Sequence, residues 1–421
     1  MLNEILTQHR MIFSSNASEY DARTRGAYRR YLGAFARAFT DRVGSGRVLD
    51  LGCAAGRDLQ YFGSRGLSAK GIDLSPEMVA LCCSRGLEAE CADFLAGTWV
   101  GAKWDGIWAY TSLTLVPKAA MRAVLEGARA ALVPGNGVLA LGLIEGEGEG
   151  WKRDGKYGGE RRYVARYSSI ELREVLSRHF GRVSLERVKD PESEGRVYLH
   201  ALCQNVPPVS AEAAGRMASE LFGAHGADYE RRTASGTLAI EPELAMMART
   251  LGRGAKVLDL GSGPGRDATA LREAGVAPTC LDIAPWNVAR CRARGLDATI
   301  GRIEDADTLF PAGSFDGAWS NCALTNWLPL DALISGLAAV TKVVRPGGLI
   351  FIGSVLGGFS GEERDEKYGG LPRHNQHWDE AELRQLLSGQ GEILSWRIED
   401  ATHLGKKRYA YTVIRTPNEG A

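Results

Sequence analysis

Val48-Leu49-Asp50-Leu51-Gly52-Cys53-Ala54-Ala55-Gly56-Arg57-Asp58 is a stretch that the chain writes twice, the second time as Val257-Leu258-Asp259-Leu260-Gly261-Ser262-Gly263-Pro264-Gly265-Arg266-Asp267. In each copy a short apolar run meets a turn of small residues, then an Arg-Asp pair. The run reads as a buried strand, and the small residues let the backbone turn sharply into a helix. The repetition spreads outward at a constant offset of 209 residues, Asp50 to Asp259. Tyr20 and Thr24 pair with Tyr229 and Thr233, Asp73 with Asp282, and Arg85-Gly86-Leu87 with Arg294-Gly295-Leu296. After a slip of two residues, Asp105-Gly106 pairs with Asp316-Gly317, Trp108 with Trp319, and Lys156-Tyr157-Gly158-Gly159 with Lys367-Tyr368-Gly369-Gly370. A unit this long is no solenoid repeat and points to a duplicated domain. The expected domains are residues 1–206 and 207–421. The joint is expected in Asn205-Val206-Pro207-Pro208-Val209-Ser210, where paired prolines and polar residues favour an extended linker.

Composition agrees. A chain of 421 residues holds two or three domains at about 150 residues each. Lys+Arg and Asp+Glu are both 51, so no net field attracts nucleic acid or an anionic membrane. No stretch is apolar for long enough to span a bilayer, and the polar start Met1 to Arg10 lacks a signal core; the expectation is a soluble cytoplasmic protein. The eight cysteines contain no C-x-x-C and read as buried reduced thiols.

Within the first half, strands are expected at Arg47–Leu51, Ala69–Asp73, Glu88–Ala92, Gly106–Tyr110, Val138–Leu143, Arg182–Val188 and Arg196–Cys203. Helices are expected from Gly56 through Tyr61, from Ser75-Pro76-Glu77 onward, at Ala119–Ala131 and at Ile170–His179. Ser75 as cap, Pro76 in the first turn and Glu77 near the positive helix end make a good helix start. The second half repeats the strands at Val257–Leu260, Thr279–Asp282, Ala318–Asn321, Leu349–Ile352, Ile393–Ile398 and Arg408–Ile414. Strands alternating with helices at this spacing predict an α/β fold: two Rossmann-like domains, each a mostly parallel seven-stranded sheet flanked by helices.

The glycine turn followed by an acid at the next strand tip carries chemistry. Asp73 and Asp282 each lie 17 residues after the last loop glycine, Gly56 and Gly265. A carboxylate there can accept both hydrogen bonds of a ribose diol, while the turn lets a ligand approach the backbone and the helix N-terminus. A dinucleotide enzyme is the rival, but its turn is G-x-G-x-x-G, one residue longer than the G-x-G-x-G here. Asp50 and Asp259, two residues before the first glycine, suit a ligand amine and would repel a pyrophosphate.

These residues resemble the class I S-adenosylmethionine (SAM)-dependent methyltransferases that act on small molecules, close to the type 11/25 and tellurite-resistance-like groups. The likeness rests on Val48 to Gly56 with Arg57-Asp58, on Gly71-Ile72-Asp73-Leu74-Ser75-Pro76-Glu77-Met78, on Trp104 to Ala109 with Ser112-Leu113, and on Pro346-Gly347-Gly348. It covers nearly all of both halves. It implies a methyltransferase with SAM as cofactor, bound in the first half by Tyr20, Asp50, Gly52, Gly56, Asp73, Leu74 and Asp93. In the second half the implied set is Tyr229, Asp259, Gly261, Gly263, Gly265, Asp282, Ile283 and Glu304.

The halves depart from that pattern differently. Ala54 replaces the middle loop glycine, which is tolerated if the backbone there has negative φ. Arg302 stands where the first half has Asp93, leaving Glu304, Asp305 or a backbone carbonyl for an adenine amine. Leu115 and Asn326 stand where related enzymes carry a histidine. Candidates around the acceptor are Tyr20, Tyr110, Glu145, Tyr157 and Tyr163 in the first half, and Tyr229, Asn321, Asn326, Trp327, Tyr368, His374 and His377 in the second. Tyr110, Tyr157, Asn326, Tyr368 and His377 are the catalytic candidates. The repeated loop Arg153 to Gly159 and Arg364 to Gly370 is a candidate lid or an ordinary solvated loop. His374-x-x-His377 lacks a third ligand, so no metal is expected. Trp108 and Trp319 are expected in the core. The resulting expectation is methyl transfer to an oxygen or nitrogen of a small molecule, in a biosynthetic setting. The alternatives are another SAM reaction on the same fold, such as cyclisation or aminocarboxypropyl transfer, or a half reduced to a scaffold.

Overall fold

The computed structural model describes every residue except 25, 27–31, 154–158, 192, 194, 234–237, 365, 402–406 and 419–421. It divides into two compact units, Met1–Pro208 and Val209–Ala421. The join lies inside the expected linker but later than its start. Asn205 is tied to the first unit, its amide donating to the carbonyl of Leu132 at 3.1 Å, and the Gly181 amide donates to the Val206 carbonyl at 2.7 Å.

The first unit contains β1 (Arg47–Leu51), β2 (Ser68–Asp73), β3 (Glu88–Cys91), β4 (Gly106–Tyr110), β5 (Val138–Ile144), β6 (Glu149–Arg153), β7 (Arg161–Ala165), β8 (Arg182–Lys189) and β9 (Val197–Gln204). Its sheet runs β8-β9-β5-β4-β1-β2-β3. β1 pairs in parallel with β2 on one side and β4 on the other, so the strand order reverses at its tip. β9 is antiparallel to β5 and to β8. The helices Arg57–Ser64, Pro76–Ser84 and Lys118–Ala131 make the crossovers. Ser75 caps as expected, its hydroxyl accepting from the Met78 amide at 3.2 Å. Trp108 is wholly buried, and its indole N–H donates to Asp58 at 2.8 Å.

The second unit contains β10 (Lys256–Leu260), β11 (Ala277–Asp282), β12 (Asp297–Ile300), β13 (Phe315–Asn321), β14 (Val344–Leu356), β15 (Ser360–Arg364), β16 (Pro372–Asn375), β17 (Glu392–Ala401) and β18 (Lys407–Arg415). Its 7-stranded sheet runs β12-β11-β10-β13-β14-β18-β17, the same order in this unit's own strands. Trp319 is again buried and bonded, here to Asp267 at 3.1 Å.

One feature escaped the sequence reading. The stretch after the fifth strand of each unit is a hairpin, β6 with β7 and β15 with β16. The short strands alternate too weakly between charged and apolar residues to announce themselves. Residues 154–158 of the expected first lid, including Tyr157, lie outside the described residues. No helix among the described residues is long and apolar enough to cross a membrane. Cys53, Cys82, Cys203, Cys280 and Cys291 are buried free thiols as expected, whereas Cys83 and Cys91 are exposed.

Candidate cofactor and acceptor site

Each glycine turn is pinned to the neighbouring strand tip. The amides of Gly52 and Cys53 both donate to the Ile72 carbonyl, at 2.8 and 3.1 Å, and those of Gly261 and Ser262 to the Leu281 carbonyl, at 2.7 and 3.3 Å. The turn then passes through left-handed backbone, with φ of 55° at Gly263 and 47° at Ala54. Ala54 thus lacks the negative φ that an alanine tolerates without strain. The turn holds the same shape in both units, and in the first an alanine is forced into it at a cost of about 1–2 kcal/mol.

The strand-tip acids clasp this turn. One oxygen of Asp73 accepts from the Ala54 amide at 2.8 Å and the other from the Ser75 amide at 2.9 Å. Asp282 accepts from the amides of Gly263 and Ala284, both at 2.8 Å, and from the Asn287 side chain at 3.1 Å. Burial raises both acids, Asp282 to about 6, against the pull of those donors. A carboxylate has about four acceptor positions, so each acid keeps capacity for a ligand diol while it shapes the loop.

Two pairs of expected cofactor residues lie elsewhere. Asp50 and Asp259 are 1% and 2% exposed and sit beneath the turn, off the cavity walls. Burial, and next the carboxylates of Asp58 and Asp267 respectively, push them well above the usual acid range. In each, one oxygen has no hydrogen-bond partner. Gly56 and Gly265 are also off the walls. They cap the following helix at φ of 82° and 85°, and an added Cβ would lie 2.5 Å from Leu87 or 2.8 Å from Leu296. These glycines allow the close packing of the following helix.

A cavity of about 400 Å³ opens over the first turn. It brings together Tyr20, Gly52, Asp73, Leu74, Asp93 and Tyr110 of the expected set. The helix Leu2–Ser15 covers it with Leu2, Ile5, Leu6, His9 and Phe13, none of which the motif reading found. Their signal was an apolar face ahead of the first motif. Glu145 is bound by Arg187 at 2.6 Å and Tyr163 is packed in the hairpin; neither lines the cavity. The Tyr110 hydroxyl lies 3.1 Å from Nε2 of His200, and burial holds that imidazole down at about 4.

The second turn carries a smaller cavity, about 110 Å³. Tyr229, Gly261, Gly263, Asp282, Ile283, Glu304, Asn321 and Trp327 line it. Glu304 is already held by Arg302, whose Nε donates to it at 2.8 Å. Three expected catalytic residues do not reach this space. Asn326 is spent on the backbone, donating to the Gln376 carbonyl at 2.7 Å and accepting from the Val355 amide at 3.1 Å. Tyr368 is a core anchor, packed with Leu221 and Phe222 and covered by the guanidinium of Arg232 at 4.7 Å. His377 faces Glu363 at 3.5 Å, away from the cavity, and His374 is also off its walls. No metal-binding group of three ligands exists among the described residues.

A family model described as a methyltransferase domain matches residues 48–135 and, separately, residues 257–348, each match running from the first strand of a unit past its fourth. Each half of the chain thus carries its own match to a methyltransferase domain. The protein is a SAM-dependent methyltransferase, and SAM is its cofactor. Over 235 residues it is 27% identical to the malonyl-(acyl-carrier protein) O-methyltransferase of Enterobacter lignolyticus, covering 50% of this chain and 88% of that protein. It is 30% identical to the Salmonella typhimurium enzyme of the same name over 165 residues, 39% of this chain and 59% of that one. Among solved structures, the Burkholderia thailandensis 1,6-didemethyltoxoflavin-N1-methyltransferase with bound S-adenosylhomocysteine is 20% identical, covers 56% of this chain and 96% of its own, and has a TM-score of 0.41.

The walls fit the cofactor. Both turns present backbone rather than bulk; a Cβ added at Gly263 would meet only Tyr229, at 3.8 Å. Both cavities include a carboxylate with acceptor capacity, and Asp93 or Glu304 adds a second acid beyond it.

Proposed function

We propose that the first half methylates an oxygen or nitrogen of a small molecule seated in its cavity, while the second half holds SAM without space for an acceptor. The observation that carries this is the difference in cavity volume, about 400 against about 110 Å³. Its cause is local. Thr111 and Cys322 sit at matched left-handed positions after the fourth strand, with φ of 62° and 60°. Counting on from them, Val116 in the first half corresponds to Trp327 in the second. The Trp327 ring packs on Phe222 at 5.3 Å, and Tyr229 meets Phe222 edge-on at 5.1 Å. Aromatic rings thus fill the ground that an acceptor would need.

SAM, when bound, supplies a methyl group already activated by its positive sulfur. The chain's own work is to position the acceptor and exclude water. The helix Leu2–Ser15 supplies the apolar cover. Tyr110 offers a hydroxyl oriented by His200, whose low basicity makes it a poor proton acceptor at neutral pH. The best acceptor is therefore one already unprotonated. Descent of the halves from one duplicated domain is supported by ion pairs at matched places: Asp21 with Arg85 at 2.7 Å, and Glu230 with Arg294.

Calorimetry with S-adenosylhomocysteine on the full chain tests the assignment, with two equivalents expected. Turnover of methyl-labelled SAM with candidate acceptors should survive Asp282→Ala and stop with Asp73→Ala. The reverse pattern would transfer the chemistry to the second half.

A further inference from the structure

His9 lies on the buried face of the helix Leu2–Ser15, with Ile5 and Ile12, and lines the first cavity. Its Nε2 accepts from the Tyr163 amide of β7 at 3.1 Å. A ring nitrogen that accepts carries no proton, so a neutral His9 has its proton on Nδ1. Burial above all holds the imidazole at about 4, so it is neutral at pH 7. The Nδ1–H group has no hydrogen-bond partner among the described residues. The ring is therefore an uncharged donor, fixed from behind by β7. In the second half its place in the repeat is taken by Ala218, which offers no donor.

A second polar group on this wall is unmet. Thr114, in the turn Ser112–Leu115 after β4, lines the cavity, and its buried hydroxyl has no hydrogen-bond partner. Its counterpart under the two-residue slip is Thr325. That hydroxyl is fully used, donating to the Gly353 carbonyl at 3.1 Å and lying 2.8 Å from the Ser354 hydroxyl. The first half has Leu143 where the second has Ser354, so this partner is missing there. Strand β7 packs against both the helix Leu2–Ser15 and the turn Ser112–Leu115, which brings the carriers of His9 and Thr114 together. Buried polar groups are nearly always paired, so two unmet ones on a cavity wall mark where a ligand supplies the partner.

Resting on the reading that the first half carries the acceptor, we propose that this acceptor is a carbonyl compound with an apolar body. The body lies against Leu2, Ile5, Leu6 and Val116 of the cavity wall. The carbonyl oxygen accepts hydrogen bonds from Nδ1 of His9 and from the Thr114 hydroxyl. The methyl goes to another oxygen or nitrogen of the same molecule, which these two bonds orient. His9 and Thr114 are the specificity-determining residues. A carbonyl oxygen has two lone pairs and no proton, so it answers two donors and leaves no donor of its own unmet. A site built from such groups rejects molecules that lack the matching atom, because its donors are then left unpaired.

The test uses the full chain saturated with S-adenosylhomocysteine and two probes of one shape, acetophenone and α-methylstyrene, which differ by C=O against C=CH2. Acetophenone should bind at least ~5-fold tighter by ligand-observed NMR, the worth of one or two hydrogen bonds. His9→Gln keeps an oxygen for the Tyr163 amide but loses the Nδ1 donor, and should bring the probes to within ~2-fold. His9→Asn keeps a donor near Nδ1 but is too short for the Tyr163 amide, and should retain part of the preference. A merely structural His9 would give the reverse order. Thr114→Val should lower the preference at least ~2-fold without lowering the urea midpoint, whereas Thr325→Val, which breaks formed bonds, should lower it. Val116→Trp should expel acetophenone. Affinity for S-adenosylhomocysteine reports the fold of each variant, and should His9→Gln lose it, Thr114→Val decides. Equal or absent binding of the two probes, a preference that survives His9→Gln or Thr114→Val, or acetophenone binding that survives Val116→Trp would overturn the carbonyl proposal. The reading beneath it is judged separately, by whether turnover stops with Asp73→Ala or with Asp282→Ala.

Discussion

The two halves share a strand order, a glycine turn, an acid clasp and a buried tryptophan on an aspartate, yet one encloses nearly four times the space of the other. The shared parts all serve the cofactor side. The differences fall on three segments that face the acceptor: the N-terminal cover helix, the turn after the fourth strand and the hairpin after the fifth. In the cover helix, Leu2, Ile5, Leu6 and His9 are matched by Ala211, Ala214, Gly215 and Ala218. At Gly215 the second helix leaves no room for a side chain: a Cβ there would lie 2.7 Å from Ile283. On the proposed reading, a donor site and an acceptor site are separable inventions on this fold, the second half keeping the walls of the donor site alone.

Exchanging the decisive residue should break the comparison most sharply. Val116→Trp is expected to lower kcat/KM for methyl transfer at least ~100-fold, because an indole overfills the space where reactants must align. Affinity for S-adenosylhomocysteine in the first half should stay within ~3-fold. Steady-state kinetics beside calorimetry checks both. Unchanged turnover would place the acceptor elsewhere.

Next in size are the acids. Asp73→Ala and Asp282→Ala should each weaken S-adenosylhomocysteine in their own half by ~10–100-fold, the worth of one or two hydrogen bonds to a charged group, and leave the other half alone. Two binding events reduced to one by either variant is the expected thermogram. A single event in the unaltered chain would mean that only one cavity takes the nucleoside.

Much of this was legible in the sequence because the cofactor side is built from local rules. A turn that needs positive φ needs small residues, and a strand-tip acid sits at a fixed distance from it, so Asp73 and Asp282 announce themselves. Asp50 and Asp259 repeat just as faithfully, yet they act from beneath the turn; sequence periodicity does not say which face a repeated carboxylate serves. The acceptor side is assembled from distant segments, so Asn326, Tyr368 and His377 looked available when backbone amides, aromatic rings and Glu363 already held them. His9 carried no motif at all.

A smaller and more specific effect concerns pH. Burial lifts Asp282 to about 6 in the folded chain. A ribose diol donates to the ionised acid, so proton binding competes with the ligand. Second-half affinity should hold above pH 6 and fall up to ~10-fold per pH unit below it. Titrating the Asp73→Ala chain isolates that site, and Asp282→Asn should flatten the profile. A profile that stays sloped with asparagine would move the titration to another group.

The smallest expected effect tests the turn itself. Ala54 and Gly263 occupy the same left-handed corner, φ 47° and 55°, with different residues. Ala54→Gly removes the steric cost of that corner but gives the unfolded chain more freedom, so the net gain should be below about 1 kcal/mol. Gly263→Ala runs the same exchange in reverse. A Cβ there meets nothing nearer than 3.8 Å, so its loss, about 1 kcal/mol, comes from backbone conformation rather than collision. Urea midpoints should therefore move in opposite directions for the two variants. Movement in the same direction would show that the corners are not equivalent, and that the alanine of the first half is accommodated by a turn of its own.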